Sequence, residues 1–563
     1  PIPTDSEAVK VIARLPRAFT LRALSSLVVL TGRLVVSQGV QLKLLSMIAT
    51  EPAEFVSAVR TLLQADDKRV FFYEESVAAA SALVCKYGPD SPADKLDLLD
   101  FFKLLALTNL LLGDAAKESV GPAVGDLLRR EHLMVGEVRS LFSGTVDFIQ
   151  PVWRYSQFVE WQPTPRAPHL PHSLPEEFER AIGMPFAQHA TVMMAVSAHA
   201  LQVVNPPLPK VLSLLSLVKA QWFATVQDQA AVDGFIRLNS TTPEKVAVAI
   251  GDGTLTSQAV NWRNAFLKAP LLEITPGEYC YTFFPALPET LGRAFFSRLL
   301  QHYNKVYGQQ TGDAFLDYYG RFLEDYVFKL LSQSIKKPVV GDEEAFATKD
   351  TSDNRIVDAV IIEVPDITFV EVTAKRFNLT KTIIGGSVES LECDLTQMVV
   401  EKAKQLQASV QLFSDGKLFM VPVQPSQIKN EHTVLVLQEF PQYAAVRRRA
   451  IELAHNAGIM LENLQFVTVE ELEMIESSLR KGYRFADIMR RKSRKPDEAE
   501  MSLRNWIITR SPNLGRRKPG DLIEKHRAWF EERLAQLQAW GFGTAPLTSS
   551  SDELGQAEAE EAP

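Results

Sequence analysis

The sequence predicts an α plus α/β protein, in which a mostly helical N-terminal half precedes a mixed-sheet unit and a helical, basic C-terminal extension. Three observations support this prediction. Along the first 160 residues, apolar side chains recur at the spacing that forms one face of a helix. Two short β-type runs lie between Asp358 and Lys375. Helical and strand patterns then alternate as far as residue 480, which favours a sheet flanked by helices.

The prolines and the changes of pattern divide the chain into six predicted segments. A helical domain over residues 1–160 contains predicted helices at 51–64, 74–87, 94–112 and 124–142. Six prolines mark residues 161–186 as a connector. This connector separates the first helical domain from a second, mostly helical or mixed domain over 187–279. The sheet unit spans 280–480, the basic helical extension 481–545, and a disordered acidic tail 546–563.

The β-type runs predict a hairpin that turns at Pro365-Asp366. Side chains alternate along a strand, so Glu371, Thr373 and Lys375 share one side of the second strand. The hairpin brings Asp358 of the first strand close to Glu371. Two carboxylates held together on a sheet suit a hard divalent cation such as Mg²⁺, which prefers oxygen ligands.

This pattern resembles the PD-(D/E)xK, or restriction-endonuclease-like, nuclease superfamily over about residues 280–480. The resemblance implies that Asp358 and Glu371 are catalytic and that they bind Mg²⁺ or Mn²⁺. It also implies that Glu324, on a preceding predicted helix, completes the metal site. The sheet unit is then a restriction-endonuclease-like domain.

The sequence departs from the family pattern at the lysine of Glu-x-Lys, where Thr373 stands. Lys375, two residues further along the same side of the strand, is one substitute. Lys402, on a predicted helix over residues 390–413, is another, and the resemblance implies that Gln397 on that helix faces the metal. A structural alternative stays open, because acids and lysines on adjacent strands often form only an exposed, ion-paired surface.

The sheet unit has a second pair of predicted strands, over residues 417–423 and 433–438. Basic residues cluster further along the chain, at 447–449 and 490–495. We predict that they contact the phosphates of a nucleic acid, which Lys and Arg neutralise. The alternative is a solvated helix or loop end. The predicted contact residues are Arg447, Arg448, Arg449, Arg490, Arg491, Lys492, Arg494 and Lys495.

Composition limits the remaining classes of protein. The net charge of −8 excludes a uniformly basic nucleic-acid coat, so binding to nucleic acid must depend on local patches. Three scattered cysteines provide neither a disulfide framework nor a zinc site. No signal-peptide pattern or apolar membrane span is evident, which predicts a cytoplasmic protein without membrane contact. The absence of a phosphate-binding G-x-x-x-x-G-K-[ST] loop excludes a P-loop ATPase.

Two functions remain. The first is a metal-dependent nuclease that hydrolyses phosphodiesters of DNA or RNA, by analogy of architecture in defence against foreign nucleic acid. The second is a catalytically degenerate nuclease fold that serves as a nucleic-acid-binding or assembly scaffold, with Thr373 marking the loss of catalysis. In both, the helical N-terminal half is a candidate surface for a protein partner.

Overall fold

The computed structural model describes thirteen stretches of the chain: residues 5–33, 38–48, 54–65, 71–91, 96–118, 149–202, 214–341, 357–384, 386–418, 421–441, 444–461, 464–515 and 521–540. The predicted helix at 124–142 and the predicted acidic tail at 546–563 lie outside these residues. Within them, no helix combines the length and the hydropathy that crossing a bilayer requires.

Helices dominate the described residues before position 340, as the spacing of apolar residues predicts. They are α1 Asp5–Ile12, α2 Arg17–Arg33, α3 Gln38–Ile48, α4 Glu54–Ala65, α5 Glu74–Tyr87, α6 Leu98–Glu118, α7 Ile149–Val159, α8 Leu174–Ile182, α9 Phe186–Leu201, α10 Lys219–Trp222, α11 Gln229–Asn239, α12 Pro243–Ile250, α13 Leu255–Val260, α14 Trp262–Phe266, α15 Ala286–Glu289, α16 Arg293–Tyr307 and α17 Gln309–Ser334. Every residue of α5 up to Cys85 except Glu75 is buried. Its run of Ala, Val and Ser explains this, because a helix that is apolar all round is stable only inside a core.

A small mixed sheet lies within this helical half. Its strands are β1 Leu217–Val218, β2 Ser240–Thr241, β3 Leu271–Thr275 and β4 Glu278–Tyr281, in the order β1-β4-β3-β2. The strands pair antiparallel except β2 with β3. The sequence predicted only a mostly helical or mixed pattern here, and β1 and β2, with two residues each, are too short to show an alternation of side chains.

A second, five-stranded mixed sheet carries the predicted hairpin. It consists of β5 Val339–Gly341, β6 Ala359–Glu363, β7 Asp366–Thr373, β8 Asn430–Leu437 and β9 Leu464–Thr468, in that spatial order. β5, β6 and β7 pair antiparallel, whereas β8 is parallel to both β7 and β9. The Pro365-Asp366 hairpin is confirmed, while the predicted strand at 417–423 is not found among its described residues, and β5 was not predicted.

Helices cover both faces of the second sheet. After β7 the helices are α18 Val388–Leu395 and α19 Glu401–Ser414, joined by a π-helical turn at Thr396–Val400, then α20 Ala444–Asn456, α21 Val469–Arg480, α22 Phe485–Lys492, α23 Pro496–Glu500, α24 Leu503–Arg510 and α25 Pro512–Gly515. The last helix, α26 Asp521–Ala539, packs against the helical half instead. A separate π-helical segment, Leu379–Ile384, precedes α18. Together with the helical half, this arrangement confirms the α plus α/β class.

Alternation along the strands produces two cores. Val360, Ile367 and Phe369 face α19 and α20, and they form one hydrophobic cluster with those helices. Val370 and Val372, on the other face, pack with α17, α21 and α22. This division is the expected result of a two-residue period in a sheet that is covered on both sides.

The helical half forms one hydrophobic cluster that runs from Ala8 to Phe322 and also includes Leu537 of α26. Residues of both predicted helical domains therefore contribute to the same core. Helix α17 leaves this core after Phe322, and Leu323 already belongs to the core beneath the second sheet. One continuous helix thus connects the helical half to the sheet unit.

A buried ion pair adds to this connection. The Arg154 guanidinium on α7 donates to both carboxylate oxygens of Glu473 on α21, at 2.9 and 2.7 Å, and Tyr326 Oη donates to the same carboxylate. The side chains of Arg154 and Glu473 are 5% and 0% exposed, so removing one partner leaves an uncompensated charge in the interior.

We therefore expect Glu473→Ala to lower the free energy of unfolding by about 3–5 kcal/mol. The double variant Arg154→Met/Glu473→Leu should recover most of that loss. Glu500→Ala, which breaks the exposed pair between Arg448 and Glu500, is the control and should cost less than about 1 kcal/mol. Urea unfolding followed by tryptophan fluorescence measures all three variants, and equal losses for Glu473→Ala and Glu500→Ala would contradict the expectation.

Candidate active site

The hairpin places two carboxyl groups opposite each other. Ala359 pairs with Val370 in the antiparallel register of β6 and β7, so Asp358, one residue earlier, lies across from Glu371. The main-chain N–H of Val372 donates to Asp358 Oδ2 at 2.7 Å and fixes that carboxyl against the strand. Glu371 is 2% exposed. The two acids therefore lie side by side, as the sequence predicted, and their position is largely buried.

Lys402 lies over this pair. It is the second residue of α19, which packs on the face of the sheet that carries Glu371. Its Nζ donates to Glu371 Oε1 at 2.6 Å and to Gln405 Oε1 at 3.1 Å. The contact with Gln405, one helical turn further on, was not predicted, although the i, i+3 spacing of the two residues is visible in the sequence.

Glu324 approaches the same group from α17, and its side chain is 24% exposed. It accepts a hydrogen bond from Arg321 Nη1 at 2.7 Å. Its charge acts on Asp358, Glu371 and Lys402. The helix acid that was placed by resemblance is therefore a neighbour of the hairpin acids.

The environment shifts the proton affinities of these groups. Burial raises the pKa of Asp358 well above its usual value, and the charges of Glu371 and Glu324 raise it further. Burial also raises the pKa of Glu371 to about 7, although the Lys402 ammonium opposes this shift. Burial lowers the pKa of Lys402, but the charges of Glu371 and Asp358 outweigh it, so this pKa is raised. Lys402 is therefore a charged ammonium beside two carboxyl groups whose pKa values are both raised by burial.

The donors at this position are carboxylate oxygens, which suit a hard cation. Glu371 Oε2 is buried and has no hydrogen-bond partner, so one oxygen is available to a ligand. Among the residues that the structure describes, no three His, Cys, Asp or Glu side chains converge into a ready metal site. Mg²⁺ commonly uses only one or two carboxylates and keeps several waters, so Asp358 and Glu371 together meet its minimum requirement.

The other two predicted catalytic residues, Lys375 and Gln397, make their hydrogen bonds away from the acid pair, and Thr373 stands at the family's lysine position. Thr373 is buried on the same side of β7, and its Oγ1 accepts from the N–H of Lys375. Lys375 is 45% exposed and its Nζ donates to Glu401 rather than to the acid pair. Gln397 is exposed, and its amide donates to Cys393 Sγ. Of the two lysines left open by the sequence, Lys402 is the one in contact with Glu371.

The π-helical turn at Thr396–Val400 explains why the sequence did not show which of Gln397 and Lys402 faces the acid pair. Gln397 lies within this turn and Lys402 lies just after it. A π turn holds an extra residue, so side chains after it are rotated relative to a regular α-helix. A helical pattern read at a constant period cannot place Lys402 and Gln397 on the correct sides.

The predicted nucleic-acid contacts are divided by burial. Arg447 and Lys492 are 2% and 1% exposed. Arg447 donates to the carbonyls of Pro441 and Phe466, and Lys492 to Gln465 Oε1 and the carbonyl of Ala499. Burial lowers the pKa of Lys492 to about 7. Both side chains therefore stabilise the packing of α20 and α22, and neither is presented to a phosphate.

Most of the remaining predicted nucleic-acid contacts form ion pairs with acidic residues. Arg448 pairs with Glu500, Arg449 with Glu392 and Lys495 with Glu498. Arg490 bonds to Asp366, at the opposite end of β7 from Glu371, and to Asp487. Arg491 and Arg494 are exposed.

Comparison of the whole chain with known protein families, with curated proteins and with solved structures gives no match.

The acid pair makes stability depend on pH. The pKa of Glu371 in the fold, about 7, exceeds its usual 4.5, so its stabilising contribution is complete below about pH 4.5 and is lost as the pH rises through 7. We expect this group to lower the free energy of unfolding by up to roughly 3 kcal/mol between those limits. Glu371→Gln should remove that part of the decline, whereas Glu401→Gln, a change at an exposed glutamate nearby, should not. Urea unfolding midpoints at pH 5 and pH 8 compare the three proteins, and parallel declines would refute the assignment.

The division into buried and exposed basic residues predicts that one substitution changes stability and another changes binding to nucleic acid. Lys492→Ala removes two buried hydrogen bonds and should lower the free energy of unfolding by about 2–4 kcal/mol, with little change in binding to nucleic acid. Arg494→Ala should leave the free energy of unfolding unchanged within about 0.5 kcal/mol. If the basic surface binds nucleic acid, Arg494→Ala should also reduce the salt dependence of that binding. Fluorescence anisotropy at two salt concentrations, beside urea unfolding, measures both effects.

Proposed function

We propose that this protein is a metal-dependent nuclease of the PD-(D/E)xK class, whose active centre is formed by Asp358, Glu371 and Lys402. The observation that carries the proposal is the hydrogen bond of 2.6 Å between Lys402 Nζ and Glu371 Oε1, above a carboxyl pair on adjacent strands. A buried carboxyl pair has a high energetic cost, and shifted carboxyl groups of this kind are concentrated at functional sites.

The sheet that carries the pair supports the same proposal. A helix, an antiparallel three-stranded meander, a crossing helix and a parallel strand follow one another from α17 to β8. This order agrees with the restriction-endonuclease-like fold that the sequence resembles. Fold similarity alone does not define a reaction, so the side chains of the site carry the functional argument.

Each side chain has a role in this proposal. Asp358 and Glu371 would hold Mg²⁺ or Mn²⁺, with Glu324 as a third carboxylate nearby. When bound, such a cation supplies positive charge for the phosphate oxygens and an acidified water. Lys402 replaces the family lysine that is missing at Thr373, and its ammonium orients the water or the phosphate.

The proposed substrate is DNA or RNA, and the proposed location is the cytoplasm. Arg491, Arg494 and the partly exposed Arg448 and Arg490 are the proposed contacts to the phosphate backbone. The helical half is the proposed surface for a protein partner. A role in defence against foreign nucleic acid follows only from analogy of architecture.

One observation favours a second candidate function. Lys402 already neutralises Glu371, and no three ligands are gathered for a metal among the described residues. An ammonium in that position compensates the buried carboxyls without a cation, as in a degenerate nuclease fold that only binds nucleic acid. Catalysis therefore distinguishes the two functions.

Cleavage assays with Mg²⁺ or Mn²⁺ test the proposal on mixed DNA and RNA substrates. Asp358→Asn, Glu371→Gln and Lys402→Met should each lower the rate by about 100-fold or more, because each removes charge from the reacting centre. Lys375→Met, at the exposed ion pair, should stay within about threefold of wild type.

Circular dichroism of every variant controls for misfolding, and Glu401→Gln is the matched exposed control. Cleavage that survives Glu371→Gln in folded protein would refute the nuclease proposal. Nucleic-acid binding without any metal-dependent cleavage would instead support the degenerate fold, and Thr373→Lys then tests whether the missing lysine restores activity.

A further inference from the structure

A pocket of about 270 Å³ opens on the helical half of the molecule. Its lining residues come from α11, from β2 and the start of α12, and from β3 and β4 of the small mixed sheet. Ile236 and Arg237 follow Asp233 by three and four residues on α11, so these three side chains share one side of the helix. Of the described residues that line the pocket, all except Ile236 carry a polar group in the side chain. The pocket therefore suits a polar ligand.

The two carboxylates of the pocket are already engaged in the local structure. Asp233 forms an ion pair with Lys219, the first residue of α10. Glu273 Oε1 accepts hydrogen bonds from the main-chain N–H of Gly277 at 3.0 Å and from Tyr279 Oη at 3.1 Å. Glu273 therefore holds the turn between β3 and β4, and the charge of Asp233 is compensated by a lysine.

The two cations of the pocket have no such compensation. Arg237 and Lys245 are exposed, and neither side chain forms an ion pair or a hydrogen bond within the described part of the chain. Arg237 follows Asp233 by four residues, a spacing at which an acid and a base commonly pair on a helix, but Asp233 already has another partner. Glu244, beside Lys245, is hydrogen-bonded to Thr242 instead. Two positive charges without a counter-charge therefore line one pocket.

Two uncompensated cations suit a phosphate monoester. Such a group carries a charge between about −1.5 and −2 at pH 7, whereas a carboxylate carries a single charge. The guanidinium of Arg237 offers a planar fork of N–H donors and the ammonium of Lys245 a compact charge, and both types of side chain commonly bind phosphate. The hydroxyls of Ser240 and Thr241 line the same pocket and add neutral donors. A phosphate monoester therefore matches the pocket better than a carboxylate.

The remainder of the pocket offers an acceptor and little apolar surface. Glu273 uses Oε1 for both of its hydrogen bonds, so Oε2 accepts none from a described residue. A carboxylate oxygen in this position can accept a hydrogen bond from a hydroxyl group of a ligand. The pocket is slightly smaller than the roughly 300 Å³ at which pockets for drug-sized ligands begin, so its ligand is small. A small phosphate ester that carries hydroxyl groups meets all of these conditions.

We propose that this pocket binds a sugar phosphate. The phosphate would lie between Arg237 and Lys245, and a hydroxyl of the sugar would donate to Glu273 Oε2. Ribose phosphate occurs both free and within a nucleoside monophosphate, and this shared group is what the pocket recognises. The inference goes beyond the proposed nuclease and does not depend on it, because no lining residue belongs to the proposed active centre.

Isothermal titration calorimetry of the full chain tests the inference. The probes are ribose 5-phosphate and adenosine 5′-monophosphate, with ribose and inorganic phosphate as partial ligands. We expect ribose 5-phosphate to bind at least about tenfold more tightly than either partial ligand, because each of these makes only some of the hydrogen bonds. Equal affinities for ribose 5-phosphate and inorganic phosphate would overturn the assignment of a hydroxyl-bearing ligand. No binding of ribose 5-phosphate by folded protein would overturn the whole inference.

Two variants locate the binding site. Arg237→Gln and Lys245→Gln should each weaken the binding of ribose 5-phosphate by about tenfold or more, since each removes a charge-assisted hydrogen bond. Lys305→Gln, at an exposed lysine of α16 outside the pocket, is the matched control and should bind like wild type. All three side chains are exposed, so the urea unfolding midpoints should not change. Binding that persists unweakened in both folded pocket variants would show that the ligand lies elsewhere and would overturn the inference.

A third variant tests the recognition of the hydroxyl group. Glu273→Gln keeps the size of the side chain but replaces the carboxylate with a neutral amide, which is the weaker acceptor. We expect it to lower the preference for ribose 5-phosphate over inorganic phosphate about fivefold. An unchanged preference in the folded variant would overturn the assignment of Glu273 as the hydroxyl acceptor.

The remaining arms of the titration identify the source of the sugar phosphate. Adenosine 5′-monophosphate that binds as tightly as ribose 5-phosphate and competes with it would assign the pocket to a nucleotide, whereas its exclusion would assign the pocket to a free sugar phosphate. A single-stranded oligonucleotide without terminal phosphates should not displace ribose 5-phosphate. Displacement would overturn the small ligand in favour of a nucleic-acid backbone.

Discussion

The Lys402 ammonium compensates two carboxyl groups that the hairpin forces together, and the geometry of the sheet unit depends on this contact. Antiparallel register puts Asp358 opposite Glu371 whatever their charge, and burial makes the ionised pair unfavourable. A cation at 2.6 Å restores part of the balance and ties α19 to β7. Removing one partner of a buried charge group is strongly destabilising, which makes this contact a constraint on the fold as well as a candidate for chemistry.

The same constraint explains why the site holds an ammonium and not three converging metal ligands. Lys402 donates to one oxygen of Glu371 and leaves Oε2 without a partner. Glu324 contributes charge from α17, but it already accepts a hydrogen bond from Arg321. The ammonium therefore compensates part of the carboxylate charge and leaves one oxygen of Glu371 without a hydrogen bond.

The helical half is joined to the sheet unit by α17, which runs from the core of the helical half into the core beneath the second sheet. Arg376 among aromatic rings, the pair of Arg293 and Glu439, and the buried pair of Arg154 and Glu473 bind the two parts together. These links lie at or near the edge where β7 and β8 end, so they hold the helical half against the strand that carries Glu371.

The sequence by itself determined the class of fold, the hairpin and its two acids. Local patterns are sufficient for these features, because the period of apolar residues and the Pro365-Asp366 turn depend on neighbouring residues alone. The two-residue strands β1 and β2, the strand β5, and the division of Arg447 and Lys492 from the exposed basic residues were not readable in this way. A charged run has the same appearance in a sequence whether its members are solvated or buried.

Only the tertiary structure decided which lysine contacts the acids. Lys375 and Lys402 are equally plausible in the sequence, and the choice depends on a π-helical turn and on how α19 packs against β7. The surroundings of Arg376 are also a tertiary property, because the rings beneath its guanidinium, such as those of Tyr155 and Phe296, come from distant parts of the chain. Local propensity specifies elements, whereas burial and long-range charge specify which side chains meet.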